Sequence, residues 1–263
     1  EELLRLCHNS LSIKEFDPKK ISDSENGFVI VADNPQNIRK RNELHFKAPA
    51  DAFIPAGGRL YTVNDSNWNM SLDENGNPSC KAIIEGANIF FTSNAREELQ
   101  KNGIMVVKDS SANKTGVICS SYEIIASLTL TKDEFIEIKE TYVSQVVDIL
   151  RDKAALEAKL LFKEYAASGG ATNLVKLSME ISKEINEVTD ALLDEFVKKQ
   201  DEVLDNELFR QVIYNHCPQI LVEKYKKRIQ NDLPKAHKIA IVSASIASYI
   251  IYREGLGWLH QIP

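Results

Sequence analysis

Hydrophobic periodicity divides the chain near residue 130. Before that point, short apolar runs stand between clusters of Gly, Asn, Ser and Pro. Runs at residues 28–31, 52–54, 81–84 and 104–107 predict strands. Continuous apolar runs of this kind suit strands covered on both faces, and hence a parallel sheet. Between the last two runs, Thr92 or Ser93 can cap a helix over residues 95–100, which Lys101-Asn102-Gly103 closes. Strand, helix and parallel strand make a βαβ unit. Residues 73–78, with Asn75-Gly76 at the tip, predict a surface turn.

Beyond residue 130 the period lengthens to that of a helix. Thr131 and Glu134 form a capping-box pattern at the head of a long helix over residues 132–167, and Gly169-Gly170 breaks it. Ile181, Ile185, Val188, Leu192 and Phe196 recur at spacings of three and four and predict the buried face of a second helix. Pro218 interrupts the stretch 206–230. A last helix starts after Pro234, where Ala240, Ala244 and Ala247 would allow a close neighbour. The expected architecture is α/β followed by all-α. Residues 1–130 form a partial Rossmann-like parallel sheet and residues 131–263 a helical region.

Composition narrows the class. With 263 residues, 43% hydrophobic and 27% charged, the chain can bury a core without a disulfide or metal staple. A net charge of −6, spread evenly, argues against a nucleic-acid partner. Cys7, Cys80, Cys119 and Cys217 are scattered and form no CxxC pair, which fits a reducing compartment and no metal ribbon. The five histidines show no metal-ligand spacing. The apolar stretch 239–251 is too short for a bilayer, so no membrane partner is expected. Residue 1 is Glu rather than Met and no signal-like segment follows, so the chain reads as a piece of something larger.

Ligands of an open α/β sheet bind beyond the carboxyl ends of the strands. Two segments fall there. Glu85-Gly86-Ala87-Asn88 follows the third run, with an accessible backbone at Gly86 and Ala87 and a donor and an acceptor at Asn88. Residues 109–116 follow the fourth run and lead into a helix expected near Ser120, whose N-terminus would suit a carboxylate or phosphate. A plain turn at Asn88 and a plain helix cap at Ser120 are the alternatives. A third segment, residues 51–59, ends in Gly57-Gly58, for which turn chemistry and cofactor approach serve equally. No GxGxxG, P-loop or GxSxG is present. The basic run Lys224, Lys226, Lys227 and Arg228 reads as a solvated helix face.

The order and spacing of Asp51-Ala52-Phe53-Ile54-Pro55-Ala56, Glu85-Gly86-Ala87-Asn88 and Ala112-Asn113-Lys114-Thr115-Gly116-Val117 resemble the cofactor domain of glutamate dehydrogenases. Residues 51–59, residues 108–114 and the stretch from Leu233-Pro234 to Tyr252 resemble the large NAD-specific enzymes in particular. The resemblance covers essentially the whole chain. It implies the oxidative deamination of glutamate to 2-oxoglutarate and ammonia, with hydride transfer to NAD. It implies that Asn88 and Asn113 line the nicotinamide end of the cleft, that Gly86 and Ala87 let the dinucleotide approach, and that Ser120 binds the substrate's side-chain carboxylate.

The family's acid-base Lys and Asp, its Gly-rich pyrophosphate turn and its ribose-binding acid have no counterpart here. This chain by itself is therefore expected to be inactive, with no catalytic residue of its own. Lys114 and Thr115 depart from the pattern of the smaller enzymes and follow the large ones. A homo-oligomer is expected, in the cytoplasm or the mitochondrion. The alternative function is a non-catalytic oligomerisation or regulatory module. An incomplete Rossmann half would leave one sheet edge uncovered.

Overall fold

The computed structural model describes residues 34–258, together with residues 5, 7–12, 15 and 17. The strand expected at residues 28–31 lies outside the described residues. Contacts divide the chain into two units, residues 1–50 with 70–79, and residues 51–69 with 80–263.

In the first unit, helix α1 (Pro35–Lys47) starts where the Asn34 side chain accepts from the Asn37 amide, with Pro at the first turn, and it buries Phe46. The turn at residues 73–77 forms as expected. Asp73 accepts from the amides of Asn75 and Asn77 at 2.8 and 2.7 Å, and Gly76 takes a φ of 82°. A Leu72–Pro78 antiparallel bridge closes it.

The second unit contains the sheet, β1 (Ala50–Phe53, whose first residue falls in the first unit), β2 (Cys80–Ile84) and β3 (Met105–Val107), in the order β1-β2-β3. Strands β2 and β3 are parallel, with Ile83 opposite Val106, and helix α2 (Ser93–Lys101) crosses between them. The Thr92 side chain caps α2 by accepting from the Ala95 amide. This is the expected βαβ unit. In β2 both faces carry a buried residue, Cys80 on one and Ile83 on the other, and Ile83 meets the buried Val106 of β3; Lys81 and Met105 are exposed. Strand β1 lies at an edge with Ala50, Asp51 and Ala52 exposed.

After β3 come the single turn α3 (Asp109–Ala112) and α4 (Lys114–Thr129). The helical region continues with α5 (Lys132–Ala167), α6 (Leu174–Lys198), α7 (Gln200–Asp205), α8 (Glu207–His216), α9 (Gln219–Asn231) and α10 (Lys235–Glu254). The capping box heads α5 as expected, and Gly169 and Gly170 end it with φ of 61° and 78°. Pro218 separates α8 from α9.

Two apolar cores hold these helices. One gathers Tyr122, Ile138, Tyr142, Ile213, Leu221 and Val242 from α4, α5, α8, α9 and α10. The other packs Leu160, Leu161, Ile181, Ile185 and Val188 against Ala247 and Ile251, along the α6–α10 pair. Ala247 is thus a close-packing residue, but Ala240 and Ala244 are exposed. The buried stripe of α10 runs instead through Ile239, Ser243, Ala247 and Ile251, at spacings of four, with Val242 beside it. Among the described residues no helix is long and apolar enough to cross a membrane, and no group of side chains is arranged to hold a metal ion.

Candidate functional site

The turn after β2 is built by a buried ion pair. Glu85 is 0% exposed, and Arg96 of α2 donates to both its oxygens, at 2.6 and 2.8 Å. Burial pushes the Glu85 carboxyl up, and the Arg96 guanidinium pulls it back towards the ionised form. Asp109, from the segment after β3, joins this cluster. One of its oxygens accepts from the Ile89 amide at 2.9 Å and lies 3.8 Å from Arg96; the other accepts from Lys108 at 2.7 Å. Burial, the largest influence on Asp109, opposes its ionisation, but the Lys108 and Ile89 bonds together hold its carboxyl below the ordinary range. Ile89 sits in the left-handed region, at φ 53°, so the amide that Asp109 accepts from belongs to a strained residue.

This clamp brings the two expected segments together. Asn113 donates its amide N–H to the Asn88 carbonyl at 2.6 Å. Among the described residues, the Asn88 side-chain N–H groups and the Asn113 side-chain oxygen keep no hydrogen-bond partner. One donor group and one acceptor therefore remain side by side beyond the strand ends. Asn88 and Ile89 are exposed, as are Ile54, Leu60 and Tyr61 on the adjoining segment. The Tyr61 amide donates to the Ile89 carbonyl at 2.8 Å, so these two residues lie side by side.

The glycines have local reasons. A Cβ on Gly86 would come 3.1 Å from the Pro55 carbonyl oxygen, so this glycine seats the turn against residues 54–56. Gly58 has a φ of 131°, and a Cβ there would lie 2.8 Å from a Phe90 ring carbon. Local packing, against backbone at Gly86 and against the Phe90 ring at Gly58, thus accounts for both positions. Ala87 is half-buried beside Gly86.

The segment after β3 differs from the expectation. The helix begins at Lys114 rather than near Ser120, so the Ser120 backbone lies within α4. Only its exposed hydroxyl is available. Seven residues separate Asn113 from Ser120, close to two helical turns, so the two share one face about 10 Å apart along the axis.

Ser110, Ser111 and Lys114 are occupied in holding this loop to the helical region. Ser178 of α6 bonds to the Ser110 and Ser111 hydroxyls at 2.7 and 2.6 Å. Glu157 of α5, 3% exposed, accepts from Ser111 at 2.7 Å, Lys114 at 3.0 Å and Tyr252 at 2.5 Å. Glu85, Arg96 and Glu157 escaped the sequence reading because a charged residue flanking a strand or on a helix gives no signal of burial. The basic run of α9 is also more than a solvated face. Arg228 donates to both oxygens of Glu134 and to the Thr129 carbonyl.

The Schizosaccharomyces pombe protein named probable NAD-specific glutamate dehydrogenase is 31% identical over 275 residues, covering 96% of this chain and 24% of its own. Glutamate dehydrogenase 2 of Dictyostelium discoideum is 29% identical over 97% of this chain and 26% of its own, and the NAD-specific glutamate dehydrogenase of Saccharomyces cerevisiae gives the same figures. The chain therefore spans about a quarter of the length of the curated relatives it matches. No solved structure matches it. The model of the glutamate/leucine/phenylalanine/valine dehydrogenases matches residues 1–202, and the chain belongs to that family.

Proposed function

We propose that this chain works as the later part of an NAD-dependent glutamate dehydrogenase, which converts glutamate to 2-oxoglutarate and ammonia. The observation that carries the reading is the Asn113–Asn88 bond of 2.6 Å, with one amide N–H group and one carbonyl left over beside it. That donor and acceptor are complementary to a carboxamide, as on a nicotinamide ring. The names of the relatives support glutamate and NAD as the reactants. When bound, NAD supplies the hydride acceptor for the α-carbon of glutamate.

The residues of this chain bind and orient. Asn88 and Asn113 fix the carboxamide, and Gly86 and Ala87 present the low backbone wall beside it. Ser120, on the same face of α4 as Asn113, offers its hydroxyl to the substrate's distal carboxylate. The acid-base groups come from elsewhere in the complete enzyme, so the 263 residues alone are inactive. Residues 1–130 serve as the partial NAD-binding region and residues 131–263 as the helical region. The enzyme is a homo-oligomer of the cytoplasm or the mitochondrion, and Cys80 and Cys217, which form no disulfide, suit a reducing compartment.

Glutamate-dependent NADH formation by the complete protein, alongside the 263-residue chain, tests this. Activity in the former and none in the latter is expected. Turnover by the chain alone would overturn the division of labour. No turnover by the complete protein with glutamate and NAD would overturn the activity.

A second reading, a non-catalytic oligomerisation module, draws on the apolar groove of about 590 Å³ between α4 and α5, beside exposed Val143 and Val147. Light scattering on the chain discriminates, because a strict monomer at high concentration contradicts it.

A further inference from the structure

A second cavity, of about 360 Å³, lies between α5, α8 and α10. Its volume is within the range of small-molecule sites, roughly 300–1,000 Å³. Its walls are mostly apolar, with Ile149 and Leu156 from α5, Val212 from α8 and Ile246 from α10. One full charge enters it, the Lys153 ammonium, and no carboxylate lines it.

Lys153 is left without a counter-ion. No described carboxylate lies within ion-pair distance of it, and Glu157, one turn along α5, is already taken by Lys114, Ser111 and Tyr252. Burial, reinforced by the nearby Lys114 charge, pushes the Lys153 ammonium down from its ordinary value. Two further polar atoms in the same wall are orphaned. The hydroxyl of Tyr122, a residue 1% exposed, and Nε2 of His216 have no hydrogen-bond partner. The two rings stack at 5.3 Å, and burial holds His216 neutral, down to about 4. A half-buried cation with no partner, in the wall of a mostly apolar cavity, is a costly arrangement that an incoming anion relieves.

We propose that this cavity binds a small organic monocarboxylate, with Lys153 holding the carboxylate and the Ile149–Val212–Ile246 wall taking an apolar tail. The inference goes beyond the dehydrogenase reading and does not depend on it, because Asn88, Asn113 and Ser120 take no part.

Calorimetric titration of the 263-residue chain with hexanoate, and with hexanol as the uncharged control, tests the proposal. Saturable hexanoate binding is expected, with hexanol weaker by at least about tenfold. Lys153→Gln should weaken hexanoate by a similar factor, and Lys153→Arg should retain it. Val212→Phe, which keeps the charge and fills the cavity, should abolish binding. Thermal melts of each variant verify folding, and the hexanol comparison on the wild-type chain needs no variant. The proposal is overturned by the absence of saturation up to about 10 mM hexanoate, by equal binding of hexanol, or by undiminished binding to folded Lys153→Gln.

Discussion

Single residues in this molecule matter most where a charge or a backbone atom is packed with nothing to spare. Arg96 is the partner that keeps the buried Glu85 carboxylate satisfied, through two bonds of 2.6 and 2.8 Å. Removing one member of such a pair leaves the other charge uncompensated, at a cost of about 3–5 kcal/mol. Arg96→Met should therefore lower stability by that order in urea unfolding. Adding Glu85→Gln to it should recover part of the loss, and equal stability of single mutant and wild type would contradict the clamp. Gly58 is the second case. Its φ of 131° and the 2.8 Å approach to Phe90 leave no room for a Cβ. Gly58→Ala should cost about 1–3 kcal/mol by the same measurement. A neutral result would mean that the Gly57-Gly58 turn is set by something other than this packing.

At the scale of elements, the helical half was largely legible in the sequence, because its signals are local. Thr131 and Glu134 state where α5 starts, Gly169-Gly170 where it ends, and Pro218 where α8 gives way to α9. The stripe from Ile181 to Val188 is buried as its spacing requires. The cap at the head of α5 is also tied from outside, since Glu134 accepts from both Thr131 and Arg228. Thr131→Ala should cost about 1 kcal/mol, read as a shift in the urea midpoint, and no shift would argue that Arg228 alone sets this helix end.

What the sequence concealed was tertiary. The start of α4 at Lys114 was hidden because Asn113-Lys114-Thr115-Gly116 reads as a loop. The segment 109–116 looked like a ligand loop, yet Ser110, Ser111 and Lys114 bond to the helical region, to Ser178 and Glu157, 43 to 68 residues away in the chain. The Asn88–Asn113 pair came from the resemblance and from strand-end reasoning. The charged clamp that places it could not be read, since Glu85 and Arg96 carry no periodic signature of burial.

For the molecule as a whole, His216 and Glu134 each contribute acid sensitivity, in successive pH windows. Burial, with lesser contributions from Lys153 and His237, depresses His216 from 6.5 to about 4, so the unfolded chain binds its proton first. Stability should fall as pH drops from about 6.5 to about 4. Arg228 first, and then the Thr131 bonds, depress Glu134 from 4.5 to about 2. That contribution is present above 4.5 and is lost as pH falls through about 2. Urea midpoints measured across this range should decline in both windows, and His216→Gln should flatten the upper one. A profile unchanged by that substitution would show that His216 does not carry the upper window.

The central claim is that Asn88 and Asn113 together seat the nicotinamide end of NAD in a glutamate dehydrogenase. The most direct test is the initial rate of glutamate-dependent NADH formation by the complete protein, wild type against Asn113→Ala. The account predicts activity in the wild type and a fall in kcat/KM for NAD of about 10- to 100-fold in the variant, with thermal stability nearly unchanged. An unaltered kcat/KM in the folded variant would contradict it.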